Sequence, residues 1–213
     1  MPPRTNDADQ PRYGPLFEVV HDAIFVLEAP SGRILDVNRR TTELYGWSKE
    51  ELRSLSIADL SEGSPPFGAA EAAEWVRRSI KRPQLFDWLS RHRSGRLFWT
   101  EVSIDSVELE GERRFVAIVR DVTRRRRAEE RLRVSEARFR ATFEQAAVGM
   151  VHATLNGEIL RANRRFCEIV GYSLDELLAL PLDGLEVPEE HAALAEPLRR
   201  LLTGEVEWFS LEK

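Results

Sequence analysis

The chain has 213 residues, of which 42% are hydrophobic and 31% charged, with a formal net charge of −5. This is the composition of a folded chain of one large or two small domains, and it excludes a disordered one. The modest acidity argues against a whole-chain nucleic-acid or membrane-surface binder. The single cysteine, Cys167, rules out an intrachain disulfide framework and a cysteine-based zinc site.

Residues 1–13 hold three prolines and no periodicity, and are expected to form a disordered tail. The stretch MPPRTNDADQPR lacks the apolar segment of a secretory signal, and no run approaches the roughly 18 apolar residues of a membrane span, so a cytoplasmic location is expected. Ala23–Leu27 is a short apolar run of strand type, closed by a turn at Pro30-Ser31-Gly32, and Ile34–Val37 reads as a second strand. Asn38 stands as the N-cap of a helix that ends near Gly46, a suitable left-handed terminator. Ser48 with Glu51 forms a capping box that opens another short helix. Ala69–Lys81 is an amphipathic helix stopped before Pro83. Three strands follow, Gln84–Arg91, Leu97–Val107 and Arg113–Asp121, with turns at Ser94-Gly95 and Glu110-Gly111-Glu112. Consecutive strands joined by short turns predict an α+β layout, an antiparallel sheet with helices gathered on one face.

Alternation along the fourth strand puts Phe98, Thr100, Val102 and Ile104 on the inner face. Trp99 falls on the other face, where it suits contact with a helix or a partner subunit. Val122–Phe143 contains neither Gly nor Pro and is read as a helix that continues straight from the last strand. Thr123 is its candidate N-cap, with Asp121 just before it. Glu129/Arg133 and Glu136/Arg140 are favourably ordered i,i+4 pairs, and Ala128, Leu132 and Phe139 make a sparse coiled-coil seam.

The chain also repeats itself. Residues 32–60 and 157–185 match at 13 of 29 positions at a constant shift of 125. The matches include Asn38-Arg39-Arg40 with Asn163-Arg164-Arg165, Gly46 with Gly171, Ser48 with Ser173, and Glu51-Leu52 with Glu176-Leu177. One residue of slip extends the repeat back to Phe17-Glu18 and Phe143-Glu144. Such a period describes two copies of one domain, not a solenoid unit. The second copy reaches Gly204–Leu211, read as the start of its third strand, so it is expected to be truncated there.

Catalytic signatures are missing. The four histidines are His21, His92, His152 and His191, and His21-Asp22 runs into a strand, not into a phosphoacceptor helix. There is no phosphate-cradling glycine loop, no GGDEF-like or EAL-like signature and no metal-ligand spacing. Cys167 reads as a small buried hydrophobe, and Arg124–Arg127 as the solvated face of a helix and not a nucleic-acid patch.

Four features together resemble tandem PAS (PAS/PAC) domains of bacterial signal transduction. They are the strand–turn–strand leading through Asn38-Arg39-Arg40 to Tyr45-Gly46-Trp47-Ser48-Lys49-Glu50-Glu51-Leu52, the charged hairpin Arg91-His92-Arg93-Ser94-Gly95, the exit motif Asp121-Val122-Thr123-Arg124-Arg125, and the second copy from Asn163. The resemblance implies PAS-like five-stranded antiparallel sheets in tandem, joined by a long linker helix. The expected partition is 14–122 for the first domain, 123–141 for the signalling helix and 142–213 for the second domain. It implies a sensory relay module that binds a small ligand or a partner and signals through the helix, without catalysis in this chain. The alternative is the N-terminal sensor region of an enzyme: a sensor histidine kinase, a phosphorelay protein or a diguanylate cyclase. Phe86, Phe98, Thr100 and Val102 are the ligand-pocket candidates, and Asp121 and Thr123 the signal-relay candidates. Expected partners are a second copy in a homodimer and a downstream kinase or cyclase domain or partner protein, with no nucleic acid. The cofactor stays open. Haem versions place an axial histidine on the helix before the third strand; Ala69–Lys81 has none, and in the second copy His191, at the start of the corresponding helix Pro188–Leu202, reads as a polar first-turn residue and not as a haem ligand. Flavin photosensors carry a reactive cysteine segment that Asn163-Arg164-Arg165-Phe166-Cys167 does not reproduce.

Overall fold

In the computed structural model, which describes residues 13–28, 31–109, 111–154, 156–185, 196–197, 199–201 and 203–210, the apolar run Ala23–Glu28 forms strand β1 and Ile34–Val37 forms β2, paired antiparallel. Residues 1–12 of the expected tail, the turn residues Pro30 and Glu110, His191 and much of 188–202 lie outside the described residues. The chain divides into two compact units, Met1–Glu130 and Arg131–Lys213.

In the first unit, helix α2 (Arg39–Tyr45) starts where the sequence places it, because the buried Asn38 amide satisfies two elements at once. Its Oδ1 accepts from the Thr41 and Ile24 amides, each at 3.0 Å, and its Nδ2 donates to the Asp22 carbonyl at 3.0 Å. The cap thus stitches the helix to β1. Gly46 ends α2 at φ +78°, a conformation costly for other residues, and a Cβ there would run into the His92 ring. Helix α3 (Lys49–Ser54) carries the expected box: Glu51 N donates to Ser48 Oγ at 3.2 Å and Ser48 N to Glu51 Oε2 at 2.9 Å. Helix α4 (Ala69–Ser79) precedes β3 (Gln84–Arg91), β4 (Leu97–Leu109) and β5 (Glu112–Asp121).

The five strands form one antiparallel sheet in the order β2-β1-β5-β4-β3. Phe25, Phe98, Phe115, Leu27 and Leu52 are fully buried in one cluster between sheet and helices. Each such side chain contributes roughly 2–3 kcal/mol by leaving water. Two short elements go beyond the sequence reading: helix α1 (Pro15–Val19) and a 3-10 turn at Ile57–Leu60. Neither is long enough to show a helical period. What holds α1 is charge and capping: the Glu18 carboxylate accepts from the Arg39 amide at 2.7 Å and lies 3.7 Å from Lys49, which in turn pairs at 2.9 Å with the buried Asp36.

The second unit repeats this wiring. Its first contacts come from the end of helix α5 (Thr123–Glu144); β6 (Val151–Ala153), β7 (Ile159–Ala162), α6 (Arg164–Val170) and α7 (Leu174–Leu178) follow. The buried Asn163 accepts from the Phe166 and Met150 amides, each at 2.8 Å, and donates to the carbonyls of Phe143 and Val148 at 2.9 and 3.0 Å. Glu144 caps Arg164 as Glu18 caps Arg39, here at 3.3 Å. Gly171 ends α6 at φ +76°, and Ser173 and Glu176 form the second capping box. Even the register slip between the two strands recurs, at Val26/Leu27 and at His152/Ala153.

The expected third strand of this copy is not formed: residues 203–210 are turn, bend and coil. A strand needs a ladder partner, and among the described residues β6 and β7 pair with each other alone. Among the described residues the inner face is accordingly open. Ile169 is 60% exposed, whereas its counterpart Leu44 is 7% exposed. Cys167, expected to be buried, is half-buried against the small cluster around Leu177.

Replacing Asn38 by Ala leaves the Ile24 and Thr41 amides and the Asp22 carbonyl without that partner. Chemical denaturation of the full chain should show the first unit destabilised by about 2–4 kcal/mol. Loss below about 1 kcal/mol contradicts the stitching role.

Candidate functional site

Between the sheet and the helices of the first unit lies a cavity of about 50 Å³. Phe86 and Trp88 of β3, Val102 and Ile104 of β4 and Trp75 of α4 supply much of its wall. Trp75 stacks flat on Phe86, with centroids 4.2 Å apart and planes 7° apart, and Phe86 meets Trp88 edge-on at 5.9 Å. Of the four pocket candidates, the structure brings Phe86 and Val102 to the wall. Phe98 and Thr100 point to the same side of the sheet but stand off the cavity. Phe98 is buried with its ring edge-on to Tyr45 at 5.2 Å, and Thr100 lies behind the wall as the pairing partner of Trp88.

Three hydroxyl residues on the wall, Tyr45, Ser61 and Ser90, escape sequence reasoning, since they come from separate segments with no shared spacing. Tyr45 Oη lies 3.1 Å from Ser90 Oγ, and Ser90 Oγ 3.0 Å from Thr100 Oγ1. Thr100 Oγ1 donates to the Trp88 carbonyl at 3.1 Å. On the other side Trp88 Nε1 donates to Ser61 Oγ at 2.9 Å, and Ser61 Oγ donates to the Ile57 carbonyl at 2.8 Å. Burial pushes the Tyr45 phenol well above its ordinary value; the hydrogen bond to Ser90 opposes this and the charge of Asp121 adds to it.

The second part of the site is the exit from the sheet. Asp121 Oδ1 accepts from the Thr123 amide at 2.8 Å, and the Val122 carbonyl accepts from Arg126 N at 2.9 Å. Val122 therefore occupies the N-cap position of α5, with the Asp121 carboxylate capping from outside. The expectation that Thr123 caps its own helix is corrected here. Its hydroxyl accepts instead from the Trp99 amide at 2.9 Å, because that β4 donor has no ladder partner at this point and outcompetes a helix amide already served by Asp121. Val122 N returns a bond to the Trp99 carbonyl at 3.0 Å. The outward Trp99 ring lies under Arg126, whose guanidinium carbon is 4.1 Å from the ring centroid and whose other partner is Asp87. Arg125 pairs with Glu101 at 3.5 Å. The first turn of α5 is thus fastened to β4 through one residue's amide, carbonyl and ring. In register, Asp121 stands opposite Thr100, the last hydroxyl of the chain from the cavity.

Among the described residues no group of three or more His, Cys, Asp or Glu is placed to hold a metal ion, and no helix is long and apolar enough to cross a membrane.

Because the folded unit binds the Tyr45 proton more tightly than the unfolded chain does, Tyr45 has no influence on pH dependence at neutral pH. Its contribution is lost as pH rises beyond about 10, where the unfolded phenol ionises and the buried one resists. Urea unfolding between about pH 9 and 11 should show falling stability, with a shallower fall in Tyr45→Phe. Equal slopes in both proteins would contradict the buried, protonated phenol.

Two PAS domain family models match the chain, one over residues 21–124 and one over 137–205. The chain is 34% identical over 79 residues to the probable diguanylate cyclase DgcE of Escherichia coli, covering 37% of this chain and 7% of that protein. It is 36% identical over 81 residues to the sensor histidine kinase TmoS of Ectopseudomonas mendocina, covering 38% and 8%. Over 190 residues it is 25% identical to sporulation kinase E of Bacillus subtilis, covering 89% and 25%. The chain therefore spans a quarter or less of the length of these relatives. Among solved structures, the PAS domain of a Colwellia psychrerythraea protein is 25% identical with a TM-score of 0.45, covering 51% of this chain and 92% of that one. The unit that the sequence repeats, and that the two buried asparagines stitch together alike, is the one both family models recognise: the chain belongs to the PAS domain family, sensory domains of the kind carried by these kinases and this cyclase.

Proposed function

We propose that the chain is a cytoplasmic, homodimeric sensory relay in which a small molecule in the first unit's cavity, or a partner protein acting on that unit, shifts the sheet and changes the helix that leaves it. Phe86 and Val102 face the ligand, and Phe98 and Thr100 hold the wall from behind. Asp121 and Thr123 pass the change to α5. The observation that carries this reading is the fastening of α5 to Trp99 through amide, carbonyl and ring, directly beside the pairing of Thr100 with Asp121. A packed element with two discrete arrangements can transmit a displacement that a loose tether cannot.

The working partition is 14–122 and 142–213 for the two sensory domains and 123–141 for the signalling helix, with the last turn of α5 shared by the second domain through Phe143 and Glu144. Dimerisation runs along the α5 seam of Ala128, Leu132 and Phe139, of which Leu132 and Phe139 are large and exposed. Output comes from a kinase or cyclase domain or from a partner protein; the names of the relatives support this class.

Amide hydrogen exchange on the full chain tests the relay. Filling the cavity with Ala72→Leu should change exchange at Arg124–Arg127 by about fivefold, the equivalent of ~1 kcal/mol. Adding Thr123→Val should abolish that response while β1 and β5 keep their protection. A response that survives Thr123→Val, or no response at all, overturns the assignment. Sedimentation equilibrium checks the partner: Leu132→Glu should turn a dimer into a monomer, and a chain that is monomeric at high micromolar concentration removes the dimer.

A further inference from the structure

The wall of the cavity specifies a class of ligand, an inference that rests on the cavity being the sensory site. None of the described residues on the wall is charged, and none is His, Cys or Met. A carboxylate, phosphate or ammonium entering it would leave water without a counter-charge, which is strongly unfavourable in a low-dielectric interior. Size sets a second limit. A buried water needs roughly 10–15 Å³, and an apolar cavity of about 150 Å³ takes benzene. The 50 Å³ found here lies between them and suits a molecule of a few non-hydrogen atoms.

The direction of the hydroxyl chain sets the third limit. A carbonyl oxygen can only accept, so the Thr100 proton is committed to Trp88 O. Ser90 must then donate to Thr100, and Tyr45 to Ser90. Ser61 is fixed in the same sense, donating to Ile57 O and accepting from the Trp88 indole N–H. The O–H groups of Tyr45, Ser61 and Ser90 and the indole N–H of Trp88 are therefore all in use. What Tyr45, Ser90 and Ser61 have left is lone pairs. An acceptor-only guest such as a ketone or ether finds no proton at these four groups, whereas a guest with an O–H or N–H of its own finds acceptors there.

We infer that the cavity takes a small uncharged molecule of about three to five non-hydrogen atoms that carries a hydrogen-bond donor, as an alcohol does, with its apolar part against Trp75, Phe86 and Val102.

Three probes with matched four-atom skeletons test this on the full chain: 2-propanol, acetone and acetate. Xenon serves as a probe of the cavity alone. NMR shifts of the Trp88 indole N–H and the Ser90 amide report occupancy. The expected result is saturable binding of 2-propanol about five- to tenfold tighter than acetone, with acetate silent. Ser90→Ala frees the Tyr45 proton, so its cavity should lose that preference or favour acetone while still binding xenon. Equal or reversed affinities in the unsubstituted chain, binding of acetate, or an unchanged preference in Ser90→Ala would each overturn the ligand class while xenon binding leaves the cavity itself in place as a site. If xenon also fails to bind, the cavity as sensory site falls with it.

Discussion

A carboxamide offers two donors and an oxygen with two lone pairs, and the Asn38 side chain uses both kinds of group at one buried point. Its oxygen serves the first strand and the first turn of the helix, and its nitrogen returns to the segment that leads into that strand. Remove that amide and β1, β2 and α2 lose a buried point where their directions are fixed against one another. Asn163 does the same for β6, β7 and α6, and reaches one step further, to the final turn of α5 at Phe143. In the first unit, the sheet that extends from β1 through β5 to β4 and β3 supplies both the cavity wall and the fastening of α5.

The features legible in the sequence are those whose physics is local. An asparagine or serine followed three residues later by an amide or a glutamate, and a glycine at the end of a short helix, are contacts within one turn, and all of them recur in the second copy. Strand alternation gives the face of β4 correctly, with Phe98, Thr100, Val102 and Ile104 buried together. It cannot say where along that face a void lies, so Phe98 and Thr100 are as plausible as Val102 until the helices are in place. Thr123 shows the other limit. The sequence identifies a hydroxyl able to cap, but not a competing amide brought from β4 across the sheet. The wall hydroxyls of Tyr45, Ser61 and Ser90 are invisible for the same reason: their meeting is a property of the sheet order, not of any window of residues.

The fastening at Trp99 also shows which forces set the exit. The surface pairs of Arg125 and Arg126 are solvent-screened and contribute little each. The two backbone-directed bonds at Trp99 are made by the buried residues Val122 and Thr123, away from water, and are worth roughly 1 kcal/mol each. Shielded bonds with fixed direction, more than ion pairs, give the start of α5 a defined orientation on β4.

Glu144 repeats the Glu18 cap, but the Lys49 bridge from Glu18 to Asp36 is not repeated among the described residues of the second copy. Where the first copy buries Asp36 against Lys49 and Arg53, the second has Arg161, Leu174 and Leu178, and Arg161 lies over the rings of Phe139 and Phe143 instead. Tandem duplicates are prone to misassembly, because a segment of one can dock into its sibling during folding. Here such an exchange strands a carboxylate among leucines or sets one arginine beside other cations. Divergence at these three places makes the exchanged pairing electrostatically worse than the native one in either copy.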